Sequence, residues 1–213
     1  MSVIAIFGAT GYSGRNLAAE ASTRGHQVVA VARAIAPAAA LAHVDARPGS
    51  LFDEPFVREI AAAADVLVVA LQAQGSGLAE YIPTLGRIVA DNDVRLGVVG
   101  GAGNLRVSAD GPPVLDTPVF PEEWREHGEA HAQVIAALRA LPDEVDWFSL
   151  APAPLYSSDN PGERTENFRV GDDLLLAGED GSLSYISGSD YAIGFLDEID
   201  KPSHHRVLFT VAY

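Results

Sequence analysis

IAIFGATGYSG, residues 4–14, joins a short apolar segment to three glycines spaced three residues apart. In a strand–turn–helix unit, one glycine permits the tight turn, a second lets a diphosphate approach the backbone, and a third lets helix and strand pack closely. Gly8, Gly11 and Gly14 fall at those three positions. The amino end of the helix adds free N–H groups and a partial positive charge. A ligand-free glycine turn is the alternative, but this position after the first strand favours dinucleotide binding.

Apolar runs alternate with helix-like segments through the first hundred residues. The predicted strands are 2–7, 26–32, 44–47, 65–71 and 95–100, and the predicted helices are 12–24, 54–64 and 78–91. The strands are mostly continuous apolar runs, which is typical of a parallel sheet buried on both faces, with helices as crossovers. The sequence therefore predicts a Rossmann-like, doubly wound α/β fold, with helices on both faces and one domain over residues 1–213.

Two long loops interrupt the second half of the chain, at about 101–121 and 151–166. Around them the sequence predicts helices at 122–141 and 190–198, and strands at 145–151, 168–170, 174–177, 183–187 and 206–213. Both loops leave the carboxyl ends of predicted strands. Ligands of open α/β sheets bind at that edge, so we expect these loops to form the acceptor site.

The composition limits the partners and the location of the protein. The chain has 213 residues, a net charge of −15 and no cysteine. A negative field of this size repels nucleic acid phosphates and anionic membranes, so neither is an expected partner. Disulfides, thiolate metal sites and a cysteine nucleophile are excluded. The first residues lead into a strand without a signal peptide or long apolar segment, and we expect a cytoplasmic protein.

The residues after the second predicted strand bear on the choice of dinucleotide. An acidic residue that binds the ribose hydroxyls is expected about twenty residues beyond the turn, but this chain has Ala32 and Arg33 there. Arginine cannot accept a hydrogen bond from a 2′-hydroxyl, whereas it can pair with a 2′-phosphate and stack on adenine. We therefore expect NADP(H) to be preferred over NAD(H). A solvated arginine at a strand exit is the alternative.

The chain lacks the Tyr-x-x-x-Lys pair with which short-chain dehydrogenases of this architecture catalyse. Its sole lysine is Lys201, and Asp197 stands four residues before it. The protein therefore either passes hydride to an acceptor that needs little help from a proton donor, or only binds the dinucleotide. The sequence identifies no catalytic residue and no metal site.

Several stretches resemble the proposed NADH-flavin reductases, an atypical branch of the short-chain dehydrogenases related to biliverdin reductase B. They are GATGYSG (8–14), VVGGAGNL (98–105), VLDTPVFP (114–121), PGERTENFRVGDDLLL (161–176), SYISGSDYAIGFLDEID (184–200) and FTVAY (209–213). The resemblance covers almost the whole chain and implies an NAD(P)H-binding oxidoreductase, with free flavin as a candidate substrate. A flavin accepts hydride readily at N5, so orientation over the nicotinamide would supply most of the catalysis.

The resemblance also implies which residues contact the dinucleotide. Carried over by position, these are Gly8, Thr10, Gly11, Tyr12, Ser13, Gly14, Arg33, Leu51, Ala70, Leu71 and Gln72. Near the nicotinamide it places Gly100, Gly101 and the Ala151–Pro152–Ala153 stretch.

Two positions depart from the family pattern. Ser50 stands where relatives often carry an aspartate, which weakens the expectation of an adenine contact at Leu51. Gly101 stands where biliverdin reductase B has a serine, so a hydroxyl donor is lost and biliverdin is not the expected substrate.

Other polar and aromatic residues allow two interpretations each. His127 and His131 share a predicted helix at i, i+4 spacing but lack the glutamate of a zinc protease motif, so solvent-facing histidines are expected. Phe120, Trp124 and Tyr156 either wall a flat acceptor or pack as loop aromatics. Arg164 in the 151–166 loop either meets a phosphate or pairs with a nearby carboxylate such as Glu163 or Glu166.

Three functions follow from these observations. The first is an NADP(H)-dependent reductase that passes hydride directly to a flavin or a small quinone-like acceptor. The second is a non-catalytic redox sensor that binds NADP(H) and signals through a protein partner, as in proteins that resemble NmrA. The third, an epimerase or dehydratase of a nucleotide-linked sugar, is disfavoured because that chemistry generally uses the missing Tyr/Lys pair and a larger substrate domain.

Overall fold

The computed structural model describes residues 1–34, 42–178 and 181–213. Within these ranges, eight strands form one sheet and five α-helices connect them. The strands are β1 (Val3–Phe7), β2 (Gln27–Ala32), β3 (Val44–Pro48), β4 (Val66–Val69), β5 (Arg95–Val99), β6 (Trp147–Ala151), β7 (Arg169–Gly171) and β8 (Val207–Ala212). The helices are α1 (Tyr12–Thr23), α2 (Glu54–Ala61), α3 (Leu78–Asp91), α4 (Arg125–Arg139) and α5 (Gly188–Asp200).

The strand order is β3-β2-β1-β4-β5-β6-β8-β7, and all pairings are parallel except that between β7 and β8. From β1 the chain winds outward to β3 and then returns to place β4 on the other side of β1. The winding direction therefore reverses between β1 and β4, where open α/β sheets bind ligands. All side chains of β4 and β6 are buried, as expected for strands covered on both faces. The predicted Rossmann-like, doubly wound fold is confirmed.

Two hydrophobic cores lie on opposite faces of the sheet. Alternation along β1 sends Phe7 into the core beneath α2, α3 and α4, and Ile6 into the core beneath α1 and α5. No helix in the described ranges has the length and apolar character needed to cross a membrane. Because helices cover both faces of the sheet, a ligand reaches the sheet at the ends of its strands.

Several predicted boundaries differ from the structure. The second helix ends at Ala61 rather than at residue 64, and a 3₁₀ helix at Glu122–Trp124 precedes α4. The last helix, α5, begins at Gly188, where the Ser187 hydroxyl accepts a hydrogen bond from the Asp190 N–H as an N-cap.

The predicted strands at 174–177 and 183–187 are wrong in the described part of the chain. Only single bridges occur there, between Leu174 and Arg106 and between Ala177 and Leu183. Their apolar residues instead lie in loops, where Leu175 packs on one core and Leu176 and Ile186 pack on the other. Loop residues that pack against the cores on both faces of a sheet have the same apolar composition as a strand, which explains the error.

A buried ion pair anchors α5 to the amino ends of the strands. The guanidinium of Arg95 donates to the Glu198 carboxylate at 2.6 Å, to Asp146 at 2.9 Å and to the His204 carbonyl at 2.7 Å. The side chains of Arg95 and Glu198 are only 10% and 3% exposed. Burial alone would raise the pKa of Glu198, but hydrogen bonds from Arg95, His204 and Ser203 outweigh it and lower the pKa to about 2.

This lowered pKa predicts a loss of stability in acid. Because the folded-state pKa of Glu198 lies below its unfolded value, its contribution is complete above about pH 5 and disappears as the pH falls towards 2. We expect this contribution to be about 3 kcal/mol in the free energy of unfolding, since one pKa unit corresponds to about 1.4 kcal/mol. Urea unfolding between pH 7 and about pH 2 measures it.

The Glu198→Gln variant is the control for this measurement. It should be less stable at neutral pH and lose correspondingly less stability in acid, because its amide does not titrate. An acid dependence equal to that of the unmodified protein would show that other carboxylates cause the loss.

Candidate functional site

The glycine turn follows β1 at the carboxyl edge of the sheet. Gly8 has a positive φ of 91°, and its N–H donates to the Val31 carbonyl at 2.9 Å. The N–H of Gly11 donates to the Gly8 carbonyl at 3.0 Å, which closes the turn. Helix α1 then begins at Tyr12, with Gly11 as its N-cap.

The three glycines of the turn are needed for different reasons. A Cβ at Gly8 would lie 2.3 Å from the Ala70 carbonyl oxygen, and one at Gly14 would lie 2.1 Å from the Gly8 carbonyl oxygen. The backbone therefore excludes side chains at both. Gly11 has an ordinary φ of −69° and is exposed, and the nearest atom to an added Cβ is 3.3 Å away. Glycine at this position leaves the turn open to a group from outside the chain.

Positive charge is available at this edge despite the acidic composition. Among the described residues no side chain caps α1, and its first turn holds no acidic residue, so the N–H groups there are free for an anion. Arg15 and Arg33 are exposed and form no ion pair with any described residue. Eight other arginines do form ion pairs, namely Arg24, Arg47, Arg58, Arg95, Arg106, Arg125, Arg164 and Arg206.

The other residues predicted to bind the dinucleotide follow the carboxyl ends of neighbouring strands. Because parallel strands end at a common edge, these residues lie at the same carboxyl edge of the sheet as the glycine turn. They are Thr10, Tyr12 and Ser13 in the turn or first helix turn, Arg33 after β2, Leu51 after β3, Ala70, Leu71 and Gln72 after β4, Gly100 and Gly101 after β5, and Pro152 after β6.

These residues differ in how much side chain they present. Thr10, Arg33 and Gln72 are exposed. Leu51 is 2% exposed and packs in the core, and Pro152 is also buried. Contact with a dinucleotide remains a prediction for all of them, and Leu51 and Pro152 have little side-chain surface with which to make it.

The loop after β6 is attached directly to the glycine turn. The Tyr156 hydroxyl donates to the Ser13 Oγ at 3.0 Å, and the rings of Tyr156 and Tyr12 have centroids 5.0 Å apart. The Tyr12 hydroxyl donates to the Pro161 carbonyl at 3.3 Å. Burial raises the pKa of Tyr156, so its hydroxyl stays protonated and remains a donor. The loop after β6 and the glycine turn therefore form one connected surface.

A buried carboxylate fixes the far end of the same loop. Asp190 is 0% exposed and accepts hydrogen bonds from the N–H groups of Thr165 and Glu166, the Thr165 hydroxyl and the Tyr213 hydroxyl. Burial raises the pKa of Asp190, but these hydrogen bonds outweigh it and the net pKa is lowered. The PGERT stretch, the DYA stretch and the carboxyl-terminal tyrosine thus meet at one carboxylate.

His131 is half-buried rather than solvent-facing as expected, whereas His127 is exposed as expected. A Cβ at Gly101 would lie 3.2 Å from the His131 ring, which places the imidazole against the end of β5. Burial, together with the nearby His127, lowers the pKa of His131 to about 4. The ring is therefore neutral at physiological pH.

Most of the other aromatic and charged candidates contact neighbouring protein residues. Phe120 fills the space between the glycines at 103 and 128, and Tyr156 packs between Tyr12 and Tyr191. Trp124 remains 46% exposed beside the 101–121 loop. Arg164 forms ion pairs with the buried Glu20 at 2.6 Å and with Glu166 at 2.8 Å. Of the two interpretations, the structure therefore favours pairing with carboxylates over binding a phosphate.

The reversal of winding at a glycine turn, with an uncapped helix beyond it, places the protein among the dinucleotide-binding α/β proteins. More narrowly, the chain belongs to the NAD(P)H-binding family, which matches residues 8–187.

Similar proteins have been found in several bacteria. The uncharacterized protein YwnB of Bacillus subtilis (strain 168) is 34% identical over 219 residues, which cover 98% of this chain and 97% of YwnB. A crystal structure of a proposed exported protein from Burkholderia pseudomallei is 36% identical, with a TM-score of 0.88 and full coverage of both chains. A proposed NADH-flavin reductase from Streptococcus pneumoniae TIGR4 is 28% identical, with a TM-score of 0.81, and covers 100% of this chain and 99% of its own.

Two features of the site were missed in the sequence. The contact between Tyr156 and Ser13 joins residues 143 positions apart, and no local pattern indicates it. The inward position of His131 did have a signal, because it shares a helical face with the buried residues Val134, Ile135 and Leu138. The apolar stripe of α4, extended by one turn towards the amino end of the helix, includes His131.

Proposed function

We propose that this protein is an NADPH-dependent reductase of a flavin or a small quinone-like acceptor. The observation that carries the proposal is the exposed position at Gly11, where an added Cβ would be crowded far less than at Gly8 or Gly14, beside the uncapped end of α1. This is the space that a diphosphate needs in order to reach backbone N–H groups.

The residues at the carboxyl edge have separate tasks in this proposal. The turn at 8–14 holds the diphosphate, and the residues after β4 and β5 line the path to the nicotinamide. When bound, the reduced nicotinamide supplies the hydride. The loops at about 101–121 and 151–166 orient the acceptor and limit access of water. Because no Tyr/Lys pair is present, the main contribution of the protein to catalysis is to orient the acceptor over the nicotinamide.

The test of this function is a turnover assay with the purified protein. NADPH and FMN are mixed with it, and absorbance at the nicotinamide band is followed; a quinone replaces FMN in a second series. Oxidation of NADPH supports the reductase. Tight NADPH binding by calorimetry, without oxidation by any flavin or quinone, would instead support a redox sensor.

Arg33 is proposed to select NADPH through the adenosine 2′-phosphate. It is exposed after β2 and forms no ion pair with a described residue. We expect Arg33→Ala to weaken NADPH binding by about 10- to 100-fold, the value of one or two charge-assisted hydrogen bonds, and to leave NADH binding nearly unchanged. Calorimetric titration with each dinucleotide measures this difference.

Arg87 provides the matched control, since it is an exposed arginine on α3 whose side chain bonds only to Thr84 among the described residues. Arg87→Ala removes the same charge and should leave both affinities unchanged. Equal losses for NADPH and NADH in Arg33→Ala would contradict the assignment of Arg33 to the 2′-phosphate.

A further inference from the structure

We propose that His131 contacts the acceptor and donates a hydrogen bond to one of its carbonyl oxygens. This inference rests on the proposed reductase function and adds a specific side chain to its acceptor site. It concerns a residue that neither the glycine turn nor the missing Tyr/Lys pair would identify.

The position of the ring is the first reason. His131 lies in the amino-terminal half of α4, and its imidazole occupies the space beside Gly101, with ring carbons 3.2 Å from where a Cβ would be. Gly101 directly follows β5 at the edge where the cofactor residues collect. The imidazole thus takes the place of a side chain at residue 101.

The bonding state of the ring is the second reason. No described residue forms a hydrogen bond or an ion pair with the His131 imidazole, although the side chain is half-buried. A partly buried polar ring without a partner in the protein is available to a ligand. His127, one turn earlier on the same helix, is exposed and has no such position.

Other polar atoms next to the end of β5 also lack partners. The Ser149 hydroxyl is buried and unpaired among the described residues, and it lies 2.9 Å from where a Cβ at Gly100 would be. The buried side-chain nitrogen of Asn104, three residues beyond Gly101, is likewise unpaired in the described ranges. Buried polar groups normally have partners, and these two unpaired groups lie beside the same strand end as the unpaired His131 ring.

The chemistry of the acceptor explains what such a donor would do. A flavin or quinone that receives a hydride gains negative charge on a carbonyl oxygen, and a proton from water later neutralises it. A neutral N–H aimed at that oxygen stabilises the developing charge without giving up its own proton. The donor therefore accelerates the transfer and leaves dinucleotide binding unaffected.

Three variants test the proposal: His131→Leu removes the donor, His131→Gln keeps an N–H donor, and His127→Leu is the control on the same helix. With NADPH and FMN or a quinone, we expect His131→Leu to lower kcat by about 10- to 100-fold, and the other two variants to stay within about 5-fold of the unmodified protein. Calorimetry should show the same NADPH affinity in all three.

Equal kcat values for the Leu and Gln variants at position 131, or a loss of NADPH affinity in either, would overturn the proposal. Turnover by the unmodified protein with no effect of His131→Leu would reject this inference alone. An unmodified protein that binds NADPH but reduces neither acceptor would reject the reductase function and this inference together.

Discussion

Replacing Gly11 by alanine should lower the affinity for NADPH by at least about 100-fold, because several backbone N–H contacts to the diphosphate, each worth about 1.5–3 kcal/mol, are lost together. An added Cβ at this position lies 3.3 Å from the Gly8 carbonyl oxygen and 3.9 Å from the Ala70 carbonyl oxygen, so a shift of a few tenths of an ångström accommodates it, and the backbone already has a φ that alanine adopts. We therefore expect the fold to change little while the ligand is kept away from the helix end. Calorimetric titration with NADPH and a thermal melt measure the two effects separately.

Gly14→Ala is the informative comparison, because Gly14 lies in the same turn but is closely surrounded by backbone atoms, whereas Gly11 is not. A Cβ there would lie 2.1 Å from the Gly8 carbonyl oxygen and 2.8 Å from the Gly8 carbonyl carbon. We expect that variant to lose stability, whereas Gly11→Ala keeps its melting temperature. NADPH affinity in Gly11→Ala equal to that of the unmodified protein would remove the main support for cofactor binding at this turn.

The contrast between these two glycines shows what the sequence could and could not predict. The motif and its place after an apolar strand were sufficient to predict the turn, the following helix and a parallel sheet, because these depend on local backbone freedom and on periodicity. The motif also predicted separate roles for Gly8, Gly11 and Gly14. The structure adds the distances, which show that backbone atoms crowd Gly8 and Gly14 closely and Gly11 much less.

Errors occurred where burial came from distant parts of the chain. The segments at 174–177 and 183–187 are apolar because Leu175, Leu176 and Ile186 pack on the two cores, and a period-two pattern does not distinguish such residues from a strand. Likewise, Tyr156 meets Ser13 and Asp190 meets Thr165 only because the sheet order brings their loops together. These contacts are set by topology and cannot be derived from local sequence.

The largest effect on stability should come from Arg95→Ala, at the opposite edge of the sheet. The variant leaves the 3%-exposed Glu198 carboxylate without its arginine, while Asp146 and the His204 carbonyl lose their donors. Removing one partner of a buried ion pair typically costs about 3–5 kcal/mol, because the remaining charge stays buried and uncompensated. We expect a loss of that size in the free energy of unfolding, measured by urea denaturation at neutral pH.

Arg58→Ala is the matched control for this experiment. Arg58 also bonds two carboxylates, Glu54 and Asp91, each at 3.0 Å, but its side chain is 42% exposed. Solvent-exposed pairs contribute about 0–1 kcal/mol, so the control should be nearly as stable as the unmodified protein. Both variants remove an arginine that pairs with two carboxylates, whereas only Arg95 is buried and also donates to a backbone carbonyl.

A double variant, Arg95→Met with Glu198→Gln, tests whether an uncompensated charge causes the loss. The methionine occupies much of the arginine's volume over the Phe148 ring, and the glutamine removes the charge that would be left buried. We expect this double variant to be more stable than Arg95→Met alone, which is the non-additivity of a directly coupled pair. If the two losses instead add, the destabilisation would come from lost packing at the amino edge. NADPH affinity should be unchanged in every one of these variants, because the ion pair and the glycine turn lie at opposite ends of the strands.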